Sequence, residues 1–300
     1  MNVHAAAAAG NSGNYDTSAG LLASLSLTAS GPDEFTAGHQ HIPSGRAYGG
    51  ELLAQAVAAI GRTVDPDWVV HSIHGYFVSA ADVVHPSTYS VERVRDGRSF
   101  AVRAVVGRQG DRETFRATAS CRRGTARTDQ RNHAAMPPEL PDPETLATSA
   151  VAVTGTAVRD TDYWAHGRNF DLRHVEQPVY TKTARHRAAT QTVWVRAFDR
   201  LPDEPRLHRE ALAYICDYTL LEPVLRRHGV TWSDAGLMTA SLDHAMWFHA
   251  DGRADEWIAI VQEAPHFGDD LGSTRAALFT RDGQLLASIA QQGLVRLPRE

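Results

Sequence analysis

Cysteine is nearly absent from this chain. The two present in 300 residues, Cys121 and Cys216, form no CxxC pair and offer no disulfide framework. That usage fits a reducing compartment, and a cytoplasmic location is the expectation. Long apolar runs are missing too. None approaches the roughly 20 residues that span a bilayer, so no membrane span is expected. The stretch from Met1 to Ser18 is rich in Ala, Gly, Ser and Asn and lacks the charged start and Leu-rich centre of a secretory signal. The chain ends Leu297-Pro298-Arg299-Glu300, without a peroxisomal Ser-Lys-Leu address. Nor is there a basic excess: Lys and Arg number 30 against 35 Asp and Glu, a net charge of −5, which argues against a nucleic-acid partner.

Several catalytic signatures are absent as well. There is no GxSxG elbow, which counts against an α/β-hydrolase. Gly49-Gly50 and Asp96-Gly97 match neither a P-loop nor a dinucleotide fingerprint. Fifteen histidines occur without an HExxH context. His71 and His74, like His244 and His249, lie an odd number of residues apart, so on a strand each pair would point to opposite faces. Structural or surface roles are therefore the expectation for them, with no metal and no cofactor. Arg93, Arg95, Arg98, Arg103 and Arg108 crowd one hairpin, where a solvated face is the preferred reading over a phosphate site.

What is present is a core-forming composition, 43% hydrophobic and 22% charged, on a length comfortable for two domains. The same order of elements is read twice. A helix-like run over Gly49 to Val64 is followed by strand-like runs Val69–Ser79, Thr88–Val94, Ser99–Gln109 and Glu113–Cys121. A second helix-like run, Pro205 to His228, closes on Gly229 and holds Pro223, which predicts a kink or break. Strands follow at Leu237–His249, Glu256–Glu263, Gly272–Thr280 and Gln284–Arg296. Leading strands are read near Glu34–Ile42 and Thr190–Phe198. Asp96-Gly97, Gln109-Gly110-Asp111 and Asp282-Gly283 read as hairpin turns. The expected organisation is a disordered tail over 1–30, a first domain over 31–123, a Pro-rich linker over 124–165 and a second domain over 166–300. One helix per set of consecutive antiparallel strands is an α+β plan. A helix apolar nearly all round needs burial on most sides, which a sheet curled about it supplies.

One residue breaks this pattern. From Ala211 to Leu221 the chain is apolar or nearly so except for Asp217. A carboxylate there must be hydrogen-bonded or have a raised pKa, conditions that suit a general base. A structural carboxylate, paired with an arginine or facing a solvent channel, fits the same string equally well. Gln55, near the middle of the first-half helix, is a neutral counterpart, so the second half is the better candidate for chemistry. Strand alternation puts Ser241 and Asp243 on one face and His244 on the other. Gln291 shares a mostly apolar face with Leu285, Ala287 and Ile289, where an amide needs partners and could hold a water.

With these strings in view, the chain resembles the type II acyl-CoA thioesterases. The first half carries Arg46-Ala47-Tyr48-Gly49-Gly50, His71-Ser72-Ile73-His74-Gly75-Tyr76-Phe77 and Val91 to Phe100. The second carries Leu212 to Asp217, Ala240 to His249 and Ala287 to Arg296. The resemblance implies a double hotdog, and a chain that hydrolyses acyl-CoA to a free carboxylic acid and CoA. It implies catalytic roles for Asp217, Ser241 and Gln291, converging from the helix and two strands of the second hotdog, and assembly into dimers or tetramers. Departures from the family pattern fall at Ser79-Ala80-Ala81-Asp82, at Gln292 and at Ala119-Ser120-Cys121. They bear on acyl-chain preference. A hotdog hydratase is disfavoured because its Asp-x-Asn-x-x-His string is missing. An acyl-CoA binding protein and a thioesterase of acyl-carrier-protein thioesters are the alternatives.

Overall fold

The computed structural model describes residues 17–124, 132–156, 160–180 and 187–298. The first half runs through α1 (Ala19–Leu25), β1 (Thr28–Gly31), β2 (Glu34–Ala37), α2 (Gly49–Gly61), β3 (Trp68–Phe77), β4 (Ser87–Asp96), β5 (Phe100–Gln109) and β6 (Arg112–Arg123). A short helix, α3 (Ser149–Val153), precedes the second half. That half comprises β7 (Phe170–His174), β8 (Thr190–Ala197), α4 (Pro205–Ile215), α5 (Glu222–His228), β9 (Met238–Ser241), β10 (Asp243–Phe248), β11 (Ile258–Gly268), β12 (Leu271–Thr280) and β13 (Leu285–Arg296).

The described strands form one antiparallel sheet in the order β1-β2-β4-β5-β6-β3-β10-β13-β12-β11-β8-β7, with β9 beside β13. This is a double hotdog, two sheets each curled about a central helix. They meet at β3 and β10, whose register sets His244 opposite Gly75 and Trp247 opposite Ser72. The turns expected at Gly110 and Gly283 have φ of +58° and +88°, backbone that glycine adopts without a Cβ penalty.

Every residue of α2 from Gly50 to Ile60 is buried. The helix packs on β2 to β6 along one side and on α1 and α4 along the other. That explains its lack of a polar face, since the sheet covers one stripe and the neighbouring helices the rest. Burying a side chain such as Leu53 or Ile60 is worth about 1.5–3 kcal/mol gross. Among the described residues no helix is long and apolar enough to cross a membrane.

Four expectations need correction. Part of the stretch expected to be a disordered tail is ordered: α1 and β1 fall inside it, and Leu21, Leu25 and Leu27 join the main core. Residues 1–16 lie outside the described residues. The described part of the Pro-rich linker also packs. Met136, Leu140 and Leu146 cover Trp194, Trp257 and Phe279 on the outer face of the second half. Ser149 donates to the carbonyl of Leu172 at 3.1 Å and Arg173 to that of Pro143 at 2.9 Å, which ties this segment along β7. The long second-half helix breaks ahead of Pro223, not at it. α4 ends at Ile215, and Pro223 sits in the first turn of α5, where its missing N–H costs no helical hydrogen bond. Of the five hairpin arginines, Arg103 is 1% exposed and donates to the Thr63 hydroxyl and carbonyl and to Asp96. It pins the β4–β5 hairpin to the end of α2 instead of facing solvent.

Candidate active site

The break between α4 and α5 places Asp217 in a turn, where its side chain reaches out of the helix line. Ser241 ends β9 and Gln291 lies in β13. The three residues meet: Ser241 Oγ donates to Asp217 Oδ1 at 2.9 Å, and Gln291 Nε2 lies 2.8 Å from Asp217 Oδ1 and 3.0 Å from Ser241 Oγ. Both side chains serve the same carboxylate oxygen. Oδ2 takes no side-chain hydrogen bond among the described residues. The partners are neutral, so the arginine-paired reading of Asp217 does not hold.

Burial raises the Asp217 carboxyl from its ordinary value of 3.8 to about 6, against the opposing pull of Gln291, Ser241 and the backbone N–H of Gly50. Gly50 belongs to the other half of the molecule. A Cβ on Gly49 would stand 2.4 Å from Asp217 Oδ2, and one on Gly50 would stand 2.2 Å from the Tyr214 carbonyl. The N-terminus of α2 is thus pressed against the carboxylate, and only glycine permits that approach. A helix N-terminus carries partial positive charge, which favours an anion there. The sequence reading drew the site from the second hotdog alone. The readable signal was the Gly49-Gly50 pair opening an otherwise apolar helix.

Two other buried carboxylates are already saturated. Glu51 accepts from Ser24 Oγ at 2.6 Å and from the Gln40 N–H at 2.9 Å, and meets His39 Nδ1 at 2.9 Å. Glu222 meets His174 and Gln191 at 2.8 Å each and accepts from the Trp232 indole at 3.0 Å. Gln55 is spent on structure, bonded to the Ser24 and Gly38 carbonyls and to the Tyr89 hydroxyl. Among the described residues no group of three or more His, Cys, Asp or Glu is gathered as for a metal ion.

His244 departs from the expectation of an opposite face. The pairing to β13 runs Ser241↔Gly293 on β9 but Ala245↔Ala290 on β10, a slip of one residue around Leu242. One extra residue inverts the alternation. Ser241 and His244 consequently reach the same network, with His244 Nδ1 at 2.6 Å from Gln291 Oε1 and Nε2 at 3.2 Å from Cys216 Sγ.

Asp217 and Ser241 open onto a cleft of about 470 Å³ between the halves. Leu52, Phe77, Tyr218, Trp164, Trp232 and Leu242 give it apolar walls. Tyr48 stacks on Tyr218 with ring centroids 4.3 Å apart, forming one side beside Asp217.

Comparison with known proteins bears on this arrangement. The family description "Acyl-CoA thioesterase N-terminal domain" matches residues 39–122, and "Acyl-CoA thioesterase C-terminal domain" matches residues 128–295. Human acyl-coenzyme A thioesterase 8 is 32% identical, over 91% of this chain and 88% of its own. The chain belongs to the type II acyl-CoA thioesterase family. Acyl-CoA thioesterase 2 of Haemophilus influenzae is 27% identical, covering 84% of this chain and 88% of its own. The crystal structure of an acyl-CoA thioesterase II, TesB2, from Mycobacterium marinum superposes with a TM-score of 0.74 at 35% identity, over 92% of this chain and 97% of that one. As a member of the type II acyl-CoA thioesterase family the protein is a thioester hydrolase. Where it departs from the family pattern, Ser79, Ala80 and Ala81 line the cleft.

Proposed function

We propose that the protein hydrolyses acyl-CoA to a free carboxylic acid and CoA by direct attack of a water activated by Asp217. The observation that carries this reading is the one-sided use of the carboxylate by side chains: Ser241 and Gln291 both bond Oδ1, and beside the backbone of Gly50 no described side chain bonds Oδ2, the oxygen that would take the proton. A water between Oδ2 and Ser241 Oγ gives one hydrogen to each and turns a lone pair toward the thioester carbon. Ser241 Oγ donates its proton to Asp217 and accepts from Gln291, which leaves its second lone pair for the water. Gln291 fixes both partners and so fixes the direction of attack.

As the bond forms, Asp217 takes the water's proton and the carbonyl oxygen becomes an oxyanion. The backbone N–H of Gly49, first residue of α2 and part of the cleft wall, is the proposed donor to it. Collapse expels a thiolate whose conjugate acid has a pKa of roughly 8.5, a leaving group that needs no strong acid. The apolar walls suit an acyl chain, and the edge formed by Ser79 to Ala81 is where chain preference is set.

Free-thiol release from short, medium and long acyl-CoAs, measured for wild type and Asp217→Asn together, tests the proposal. Turnover by wild type that falls by about 10²–10⁴-fold in the variant supports it. Near-normal turnover by the variant removes Asp217 as the base. Binding of acyl-CoA without thiol release by wild type overturns the assignment of substrate.

A further inference from the structure

The assigned set ends at Gln291, but its hydrogen bonds do not. The orientation of the Gln291 amide follows from its neighbours. Asp217 Oδ1 lies 2.8 Å from Nε2, and an ionised carboxylate only accepts, so the NH₂ group must face it. Gln291 Oε1 therefore faces His244 Nδ1 at 2.6 Å, and since an amide oxygen only accepts, Nδ1 carries the proton. His244 is 1% exposed, and burial pushes its imidazolium down to about 4, so the ring is neutral near pH 7. A neutral ring protonated at Nδ1 has a bare Nε2, and that nitrogen meets Cys216 Sγ at 3.2 Å. Cys216 is fully enclosed and burial holds its thiol well above the usual range, so it remains a donor. Its Sγ donates to the Ala213 carbonyl at 2.9 Å, in the last turn of α4, so the tautomer of His244 is fixed from the Gln291 side.

We propose that His244 is a positioning residue for hydrolysis: its Nδ1–H locks the Gln291 amide in the one orientation that presents NH₂ to Asp217 and Ser241. The donors run one way, from His244 to Gln291 and from Gln291 to Ser241 and Asp217. Without the Nδ1–H, the amide is free to turn over and present its oxygen to the carboxylate, which repels it and loosens Ser241. His244 is buried and does not line the cleft, so it acts through Gln291. The inference rests on the reading of Gln291 as the residue that orients Ser241 and Asp217.

The test compares His244→Phe, which keeps a ring but deletes the donor, with His244→Asn, whose amide nitrogen falls near the place of Nδ1. Both are made in the wild-type and Gln291→Ala backgrounds, and kcat and KM for acyl-CoA are measured for each. His244→Phe is expected to lower kcat about tenfold or more with KM little changed. His244→Asn is expected to recover most of that loss. In the Gln291→Ala background, His244→Phe is expected to add no further loss, because the residue it acts through is gone. Equal damage from Asn and Phe overturns the proposal, since packing then explains the effect. So does a His244→Phe loss that multiplies with an impaired Gln291→Ala. If Gln291→Ala is itself silent in an active enzyme, the role assigned to Gln291 fails, and that of His244 fails with it. Nitrogen NMR of the wild-type ring is the independent readout: protonated Nδ1 and bare Nε2 near pH 7 support the lock, and the reverse tautomer or an imidazolium overturns it.

Discussion

At the scale of single residues, Asp217 is a carboxylate kept where ionisation is costly. In the proposed mechanism its carboxyl, raised to about 6, sets the acid side of catalysis, because only the ionised form accepts the water's proton. Log kcat should rise with unit slope below about pH 6 and level off above it, and the limb should vanish in Asp217→Asn; a pH profile of thiol release checks both. The same shift has a stability consequence. Because the folded pKa lies above the ordinary 3.8, ionised Asp217 destabilises the fold. The cost is absent below about pH 4, grows between about pH 4 and 6, and is complete above that. The stability of wild type relative to Asp217→Asn should therefore fall across that window by about 3 kcal/mol at most. Denaturant titrations at pH 4 and 7 would read it, and a flat difference would contradict it. Asp217 was legible in the sequence because one charge in an apolar run is an outlier in composition. Ser241 and Gln291 were legible only by resemblance, since no periodicity shows that two strands and a turn converge. His244 was misread because the slip at Leu242 is set by pairing with β13, which is not local information.

At the scale of elements, α2 has two functions. Its apolar length fills the first sheet, and its first residues serve the carboxylate of the second half. The repeat of helix and strands was readable because each hairpin has its turn residues in place and each strand its β-branched and aromatic side chains. The break after α4 was readable in part: Pro223 announced a break, but it opens the next helix, and the local sequence does not mark Ile215 as the end of α4. The service of one half's helix to the other's site was not readable, because it depends on how the two helices cross. A methyl group at Gly49 tests it. Gly49→Ala should keep the fold while pushing Asp217 Oδ2 aside, with kcat falling about 10²-fold and thermal stability changing little. Equal kcat for the variant would mean that the close approach of α2 has no part in turnover.

At the scale of the whole molecule, the proposed mechanism makes the pair of halves the active unit. β10 pairs with β13 on one side and with β3 of the first half on the other, and the Asp217 site includes Gly49 and Gly50. Each half produced alone should release no thiol from acyl-CoA, and mixing the two should restore activity with a dependence on concentration; activity in the isolated second half would show that the site is self-sufficient.

The joining of the sheets at β3 and β10 also governs how the protein avoids growing. Two separate sheets would present four open edges, each a template for another chain. One continuous sheet presents two. One of these is β1, four residues long; the other is β7, along which the segment leading into α3 is bonded through Ser149 and Pro143. The seam beside the Asp217 cleft thereby also removes the two longest edges from which a β-rich chain could polymerise.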